Sequence, residues 1–209
     1  MRAQADRLEP LARAAFWASQ VDADPKDAEA GVKLANSLRA LGRYDEAARA
    51  ADQVLVMQPH NVEALLEKAR TALAAGQGFY AIDPTRQALQ AAPKDWRPAT
   101  LLGVALEQAE RPAEALEAHR KAMQMAPDNA VVLSNAAMFY ATQGDKAQAE
   151  TLLRKAVAKP DATLQVRQNL ALVLGLQGKL AEAEKIERED LPPQMVQANL
   201  DYFKAASAR

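Results

Sequence analysis

Cysteine is absent from all 209 residues, so disulfides, thiol nucleophiles and cysteine-ligated metals are excluded. Aromatic residues make up only 5% of the chain, and threonine and isoleucine are sparse. That removes the β-branched and aromatic runs from which sheets are built. Neither sign of charge dominates, with 26 Lys and Arg against 27 Asp and Glu. Nucleic acid is therefore not the expected partner, because phosphate neutralisation needs a basic excess. No apolar run reaches the roughly 18 residues that cross a bilayer. The opening MRAQADRLEPLARAAFW lacks the apolar core of a secretory signal. These features fit a cytosolic protein and equally a mature or trimmed form.

What is abundant is alanine, leucine, glutamate, glutamine, lysine and arginine, the good helix formers. The composition predicts an all-α protein. A period of 34 residues runs through it: Pro59 recurs as Pro93 and Pro127, and Gly42 as Gly76, Gly144 and Gly178, with Glu110 at the skipped step. Two ladders of small residues keep the phase without slipping. One is Ala35, Ala69, Gly103, Ala137 and Ala171; the other is Ala47, Ala81, Ala115, Ala149 and Ala183.

Each period reads as two helices. Leu34, Leu38 and Leu41 lie at helical spacing on the first. A glycine supplies the left-handed backbone that ends it. A second helix follows, as over residues 45–57, and a proline stops it or starts the next. The alanine ladders fall where paired helices cross, and small side chains there let the axes approach.

This spacing resembles the tetratricopeptide repeat, with small residues at its eighth and twentieth positions, glycine at the fifteenth and proline at the thirty-second. The resemblance implies an α-solenoid with repeats at 28–61, 62–95, 96–129, 130–163 and 164–190, an N-terminal cap over 1–27 and a C-terminal capping helix over 191–209. Local departures are Gly78 in place of the family's tyrosine, Pro160 one residue early and Glu110 for glycine. In the N-terminal cap, Leu8, Leu11, Ala15 and Phe16 form the expected apolar stripe. In the C-terminal one, Val196, Leu200 and Phe203 do, after the break at Leu191-Pro192-Pro193.

In such arrays the inner face comes mainly from the first helix of each repeat. Carried over, it holds Val32, Asn36, Leu66, Arg70, Leu73, Arg97, Val104, Val131, Met138 and Leu172, an apolar and polar mixture suited to a helical or extended peptide. The clamp by which chaperone-tail receptors of this class hold a terminal carboxylate is matched only by Asn36 and Arg97. Val32, Glu67 and Leu101 depart from it.

No catalytic constellation stands out, and an enzyme is not expected. His60 and His119 lie in different repeats without metal-ligand spacing. The run Glu182, Glu184, Glu187, Glu189 and Asp190 reads as a solvated helix face. Gly76-Gln77-Gly78 is a turn with no phosphate-loop lysine after it. Trp96 is expected to pack between repeats. In the pairs Phe79-Tyr80 and Phe139-Tyr140 core packing is the expected role and a partner surface the alternative. No cofactor is expected.

A second resemblance lies in residues 163–204. Val166 to Gly178, Ala181-Glu182-Ala183-Glu184, Asp190-Leu191-Pro192-Pro193 and Asn199-Leu200-Asp201-Tyr202 are similar to the end of TadD proteins of the bacterial tight-adherence (Flp, type IVc) pilus machinery. That resemblance implies a periplasmic, outer-membrane-associated lipoprotein acting as a pilotin, with the secretin subunit as partner. Such a protein carries a signal segment and a lipidated cysteine, and residues 1–209 hold neither. The alternative is a general soluble scaffold for a multiprotein complex, including a cytosolic one.

Overall fold

The computed structural model describes residues 2–207; Met1 and residues 208–209, the outermost positions of the two expected caps, lie outside it. Helix-favouring sequence, broken by glycine and proline at regular intervals, gives thirteen α-helices and no strand among the described residues. After α1 (Arg2–Ala5) and α2 (Pro10–Ala23) come five helix pairs. They are α3 (Ala28–Ala40) with α4 (Tyr44–Met57), α5 (Val62–Ala74) with α6 (Gly78–Ala91), α7 (Trp96–Gln108) with α8 (Pro112–Met125), α9 (Ala130–Thr142) with α10 (Lys146–Val157), and α11 (Leu164–Leu176) with α12 (Leu180–Asp190). A last helix, α13 (Pro193–Ser207), follows. The fold is an all-α solenoid of helical repeats. None of the described helices is long and apolar enough to cross a membrane.

Each pair is bounded by local chemistry. Asp27, Asn61, Asp95 and Asn129 precede the first helices at one phase of the period. Their side chains accept from backbone N–H groups of Ala30, Ala64, Arg97 and Val132 at 2.9–3.1 Å. Such caps satisfy donors that the first helical turn leaves open. Thr163 holds the same place before α11 without a side-chain cap bond. This capping ladder was open to view in the sequence beside the alanine ladders. Between the helices of a pair, Gly42, Gly76, Gly144 and Gly178 take φ from 71° to 88°, and Glu110 takes the same left-handed turn at φ 56°.

The chain divides into two compact units, the first running to Ala118 and the second starting at His119. In the first unit α2 packs on α3, and α3, α5 and α7 lie side by side, each against its own or the preceding second helix. Ala35, Ala47, Ala69 and Ala81 are fully buried at these crossings. The N-terminal stripe differs from expectation. Leu8, Leu11 and Ala15 are exposed and Phe16 is half-buried. The anchor is Trp17, 1% exposed, which packs with Ala5 and Ala30 and meets Phe16 edge-to-face at 5.1 Å. The helix thus turns Ala14 and Trp17 inward, and the indole supplies the large apolar area of this contact.

In the second unit Ala137, Ala149, Ala171 and Ala183 are likewise fully buried, within a core containing Leu153, Leu170 and Leu174. α13 lies against α11 and α12. Leu191 is extended, as a residue before proline must be, and Pro193 starts the new helix. Val196, Leu200 and Phe203 are buried, whereas Met195 and Tyr202 are exposed. A methyl at Gly175 would come within 2.3 Å of the Phe203 ring, so the absence of a side chain there seats the aromatic. Asn199 Nδ2 donates to Glu187 Oε1 at 2.8 Å, and Glu187 Oε2 is buried without a hydrogen-bond partner. Burial pushes the Glu187 carboxyl up, against the hydrogen bond from Asn199.

Two tests follow from this packing. Glu110→Gly should stabilise the protein by about 0.5–1 kcal/mol: it removes a left-handed penalty of about 1–2 kcal/mol and loses part of that to the freer unfolded chain. A higher urea midpoint checks it. Glu187 favours the folded state below the ordinary carboxylate range, and that contribution is lost as pH rises through its raised pKa. Glu187→Gln should therefore raise the melting temperature more at pH 8 than at pH 4. An equal shift at both pH values would mean that the charge is solvated.

Candidate protein-binding groove

The first helix of each repeat carries one face toward its neighbours and one toward the open side. On α3 and α5 that arrangement centres on Glu67, whose side chain is 2% exposed. Arg39 Nε donates to Glu67 Oε1 at 2.5 Å, Asn36 Nδ2 to Oε2 at 3.4 Å, and Arg70 Nη1 lies 3.5 Å from Oε2. A buried carboxylate without such partners would be costly. Two arginines and an amide therefore converge on it from adjacent repeats. In the sequence Glu67 registered only as a mismatch to a carboxylate clamp. Its signal was the three-residue spacing to Arg70, one helical turn on.

Arg97 is held as firmly. It donates to Asp95 at 2.7–3.1 Å and to Glu63 on α5 at 2.7 Å. The hydrogen bonds it donates to Asp95 and Glu63 raise the Arg97 pKa further above its ordinary value. The predicted polar residues of the first unit thus form two linked clusters, Asn36 with Arg70 and Arg97 with Glu63, and spend much of their hydrogen-bonding capacity on the repeats themselves.

The apolar predictions separate. Val32, Leu73 and Val104 are half-buried. A cleft of about 460 Å³ opens beside Val32 and is also lined by Ala28, Glu29, Lys33, Asn61 and Glu63. Leu66 is 0% exposed and packs in a core with Leu65, Ala88, Leu55, Val62 and Leu101. It is a core residue and not a groove anchor, in a cluster packed on by Leu55 of the preceding pair and Leu101 of the next. In the second unit Val131 is 38% exposed, and Met138 and Leu172 are half-buried against the core around Leu170. There Asn169 Nδ2 donates to Ser134 Oγ at 2.9 Å, a polar tie between α9 and α11.

The remaining candidates fall as follows. His119 is buried, with its ring 5.3 Å from that of Phe139, and His60 is exposed. No group of three or more acidic, histidine or cysteine side chains could hold a metal among the described residues. Phe139 is buried and Tyr140 half-buried, but Phe79 and Tyr80 are both exposed, against the core role expected for them. In the second repeat α6 sits so close to α7 that a methyl at Gly78 would meet the Ala105 carbonyl at 2.8 Å. The next two positions face outward in this helix as in the other second helices, where Asp45, Ala113, Ala147 and Ala181 are exposed.

Family models described as tetratricopeptide repeat match residues 32–78, 106–168 and 163–191. Among solved structures, a thermophilic tetratricopeptide repeat protein of Thermus thermophilus is 24% identical with a TM-score of 0.73, over 85% of this chain and 99% of that one. A tetratricopeptide repeat protein of Parabacteroides merdae is 15% identical with a TM-score of 0.80, over 96% and 80%. YrrB, described as having an unusual peptide-binding site, is 17% identical with a TM-score of 0.57, over 90% and 97%. At these identities the likeness is one of fold. No curated protein matches the chain.

Arg39→Ala should cost about 1.5–3 kcal/mol, the range for a hydrogen bond to a charged group, since it strips the shortest donor from the buried Glu67 carboxylate. Glu67→Gln should cost less, because the amide oxygen still accepts. Urea denaturation of both variants checks the order.

Proposed function

The chain is a tetratricopeptide repeat protein, and from that premise we propose that it is a non-catalytic adaptor of tight-adherence pilus assembly, binding the secretin subunit through the open faces of its first helices. Proteins of this family mediate protein–protein interactions as scaffolds. The observation that carries the binding mode is the row of half-exposed Val32, Leu73 and Val104 in the first unit, flanked by arginines that buried or partly buried carboxylates hold in place. Fully burying one such side chain contributes roughly 1.5–3 kcal/mol. Three of them with two polar contacts, less the cost of association, fit micromolar affinity.

The secretin as partner, and a periplasmic site at the outer membrane, rest on the resemblance of residues 163–204 to the end of TadD proteins. Several residues that carry it tie the last three helices together. Arg167 pairs with Asp190 through two bonds of 2.7 Å, Asn199 bonds Glu187, and Gly175 lies beneath Phe203. The resemblance thus covers the fifth repeat, the terminal cap and the contacts between them, and of the groove residues it includes Leu172 alone.

Calorimetric titration with a peptide from the C-terminal tail of the secretin of the same pilus system tests the reading. Micromolar binding that Val104→Glu abolishes, with the melting temperature unchanged, is the expected result. Leu66→Glu should instead unfold the protein, since it places a charge in the core. Absence of binding, to this peptide and to others tiled along the secretin, would leave a general scaffold.

A further inference from the structure

Five second helices repeat one design, and α6 departs from it. Where α6 has Phe79, the other four have Asp45, Ala113, Ala147 and Ala181. Where it has Tyr80, they have Glu46, Glu114, Gln148 and Glu182. The fold therefore builds this turn of helix with small or polar residues four times and needs no aromatic there. Phe79 and Tyr80 are 69% and 68% exposed, their rings edge-to-face at 5.7 Å. Two adjacent large aromatics left in water contribute almost nothing to folding, and tyrosine is over-represented among residues that anchor protein interfaces.

Their surroundings specify a ligand. Tyr80 divides two hollows on the edge where the turns within repeats lie. The larger, about 500 Å³, has Phe79, Ile82 and Pro84 on its apolar side and Lys68, Arg86 and Arg111 on its rim, with Asp83 as its one acid. The smaller, about 110 Å³, lies between Tyr80 and Tyr44 and is lined by Thr71, with Asp45 as its acid. The Thr71 hydroxyl is buried and has no hydrogen-bond partner. Lys68 lines both. The cations are not fully spent. Lys68 pairs with Asp52 at 2.6 Å, while Arg86 and Arg111 share Glu114 at 3.3 and 2.5 Å. An ammonium carries three donors and a guanidinium five, more than two carboxylates take up. An apolar shelf and a rim of spare donors call for an apolar group next to an acceptor anion.

We propose that the Phe79–Tyr80 ledge is a second docking site, separate from the groove, for a partner-protein segment that presents an apolar side chain beside an aspartate or glutamate. The apolar side chain packs on Phe79 and Tyr80. The carboxylate meets Lys68, Arg86 and Arg111 on the rim of the larger hollow. The two sites let one molecule hold two partners, or two segments of one.

The test selects binders to the full chain from a random peptide library and titrates them against variants. The proposal expects enriched peptides with an acidic residue within two positions of an apolar one. Phe79→Ala with Tyr80→Glu should weaken them by about tenfold or more, the loss typical of an interface anchor, without lowering the melting temperature. Lys68→Gln should weaken them and flatten their salt dependence, and Val104→Glu should leave them unchanged, which separates this site from the groove. The proposal is overturned by peptides that lack the acid, by equal binding to the double variant, or by loss of stability in that variant. Self-association of the chain that disappears in the double variant would likewise overturn it, since a second copy would then be the occupant.

Discussion

The close approach of paired helices at the alanine ladders is the constraint on which the rest depends. Ala35, Ala47, Ala69, Ala81, Ala137, Ala149, Ala171 and Ala183 have no exposed surface at all. A larger side chain at any of them forces two axes apart, and overpacking of this kind costs about 1–3 kcal/mol. The damage also spreads, because moving one axis changes where the next helix can sit. The period is therefore kept strictly at these places and loosely elsewhere. The turn glycines can be replaced, as Glu110 shows, because a left-handed non-glycine residue strains one position and displaces nothing.

Packing brings the repeats together, and ion pairs fix their register. Arg39 reaches Glu67, Arg97 reaches Glu63, Arg154 reaches Glu182 and Lys179 reaches Glu150, in each case between neighbouring pairs of one unit. This explains why a chain one quarter charged carries a net charge of −1: many charges are matched across repeat boundaries. It also shapes recognition. With the arginines of the first helices already engaged, an incoming peptide gains little by offering one more carboxylate there. It gains more from covering Val32, Leu73 and Val104, whose exposed area no neighbour takes up.

The helices and their order were legible in the sequence because they follow from spacing alone. Period, small-residue phase, turn glycines and the double-proline break each report a local event. The capping series Asp27, Asn61, Asp95 and Asn129 was equally legible and would have fixed the helix starts. Burial of individual face residues was not legible. Leu66 and Leu73 share a face of α5, yet one is sealed and the other half-open. Leu66 belongs to a cluster on which Leu55 and Leu101 pack from other pairs, and Leu73 does not. Glu67 read as an intruder because its partner Arg39 lies on another helix. Phe79 and Tyr80 read as core because aromatics usually are; their places in the period face outward in the other second helices too, as exposed Asp45, Ala113, Ala147 and Ala181 show.

A repeat array makes such departures informative. Where five copies agree, the residue answers to stacking, and its neighbours supply the reason. Where one copy differs and stability does not require the difference, the reason lies outside the stack. Glu110 differs in the same way, but it is one polar residue in a turn and adds no apolar surface. Phe79 and Tyr80 meet both, and so does the loss of the Arg-Glu pair that opens α4 and α8: Arg43 binds Glu46 and Arg111 binds Glu114, while Gln77 and Tyr80 hold those places in α6. The exchange removes a surface ion pair worth at most about 1 kcal/mol and sets in its place an aromatic edge beside cations that keep donors to spare. Little stability is given up, and a recognisable chemical surface is gained.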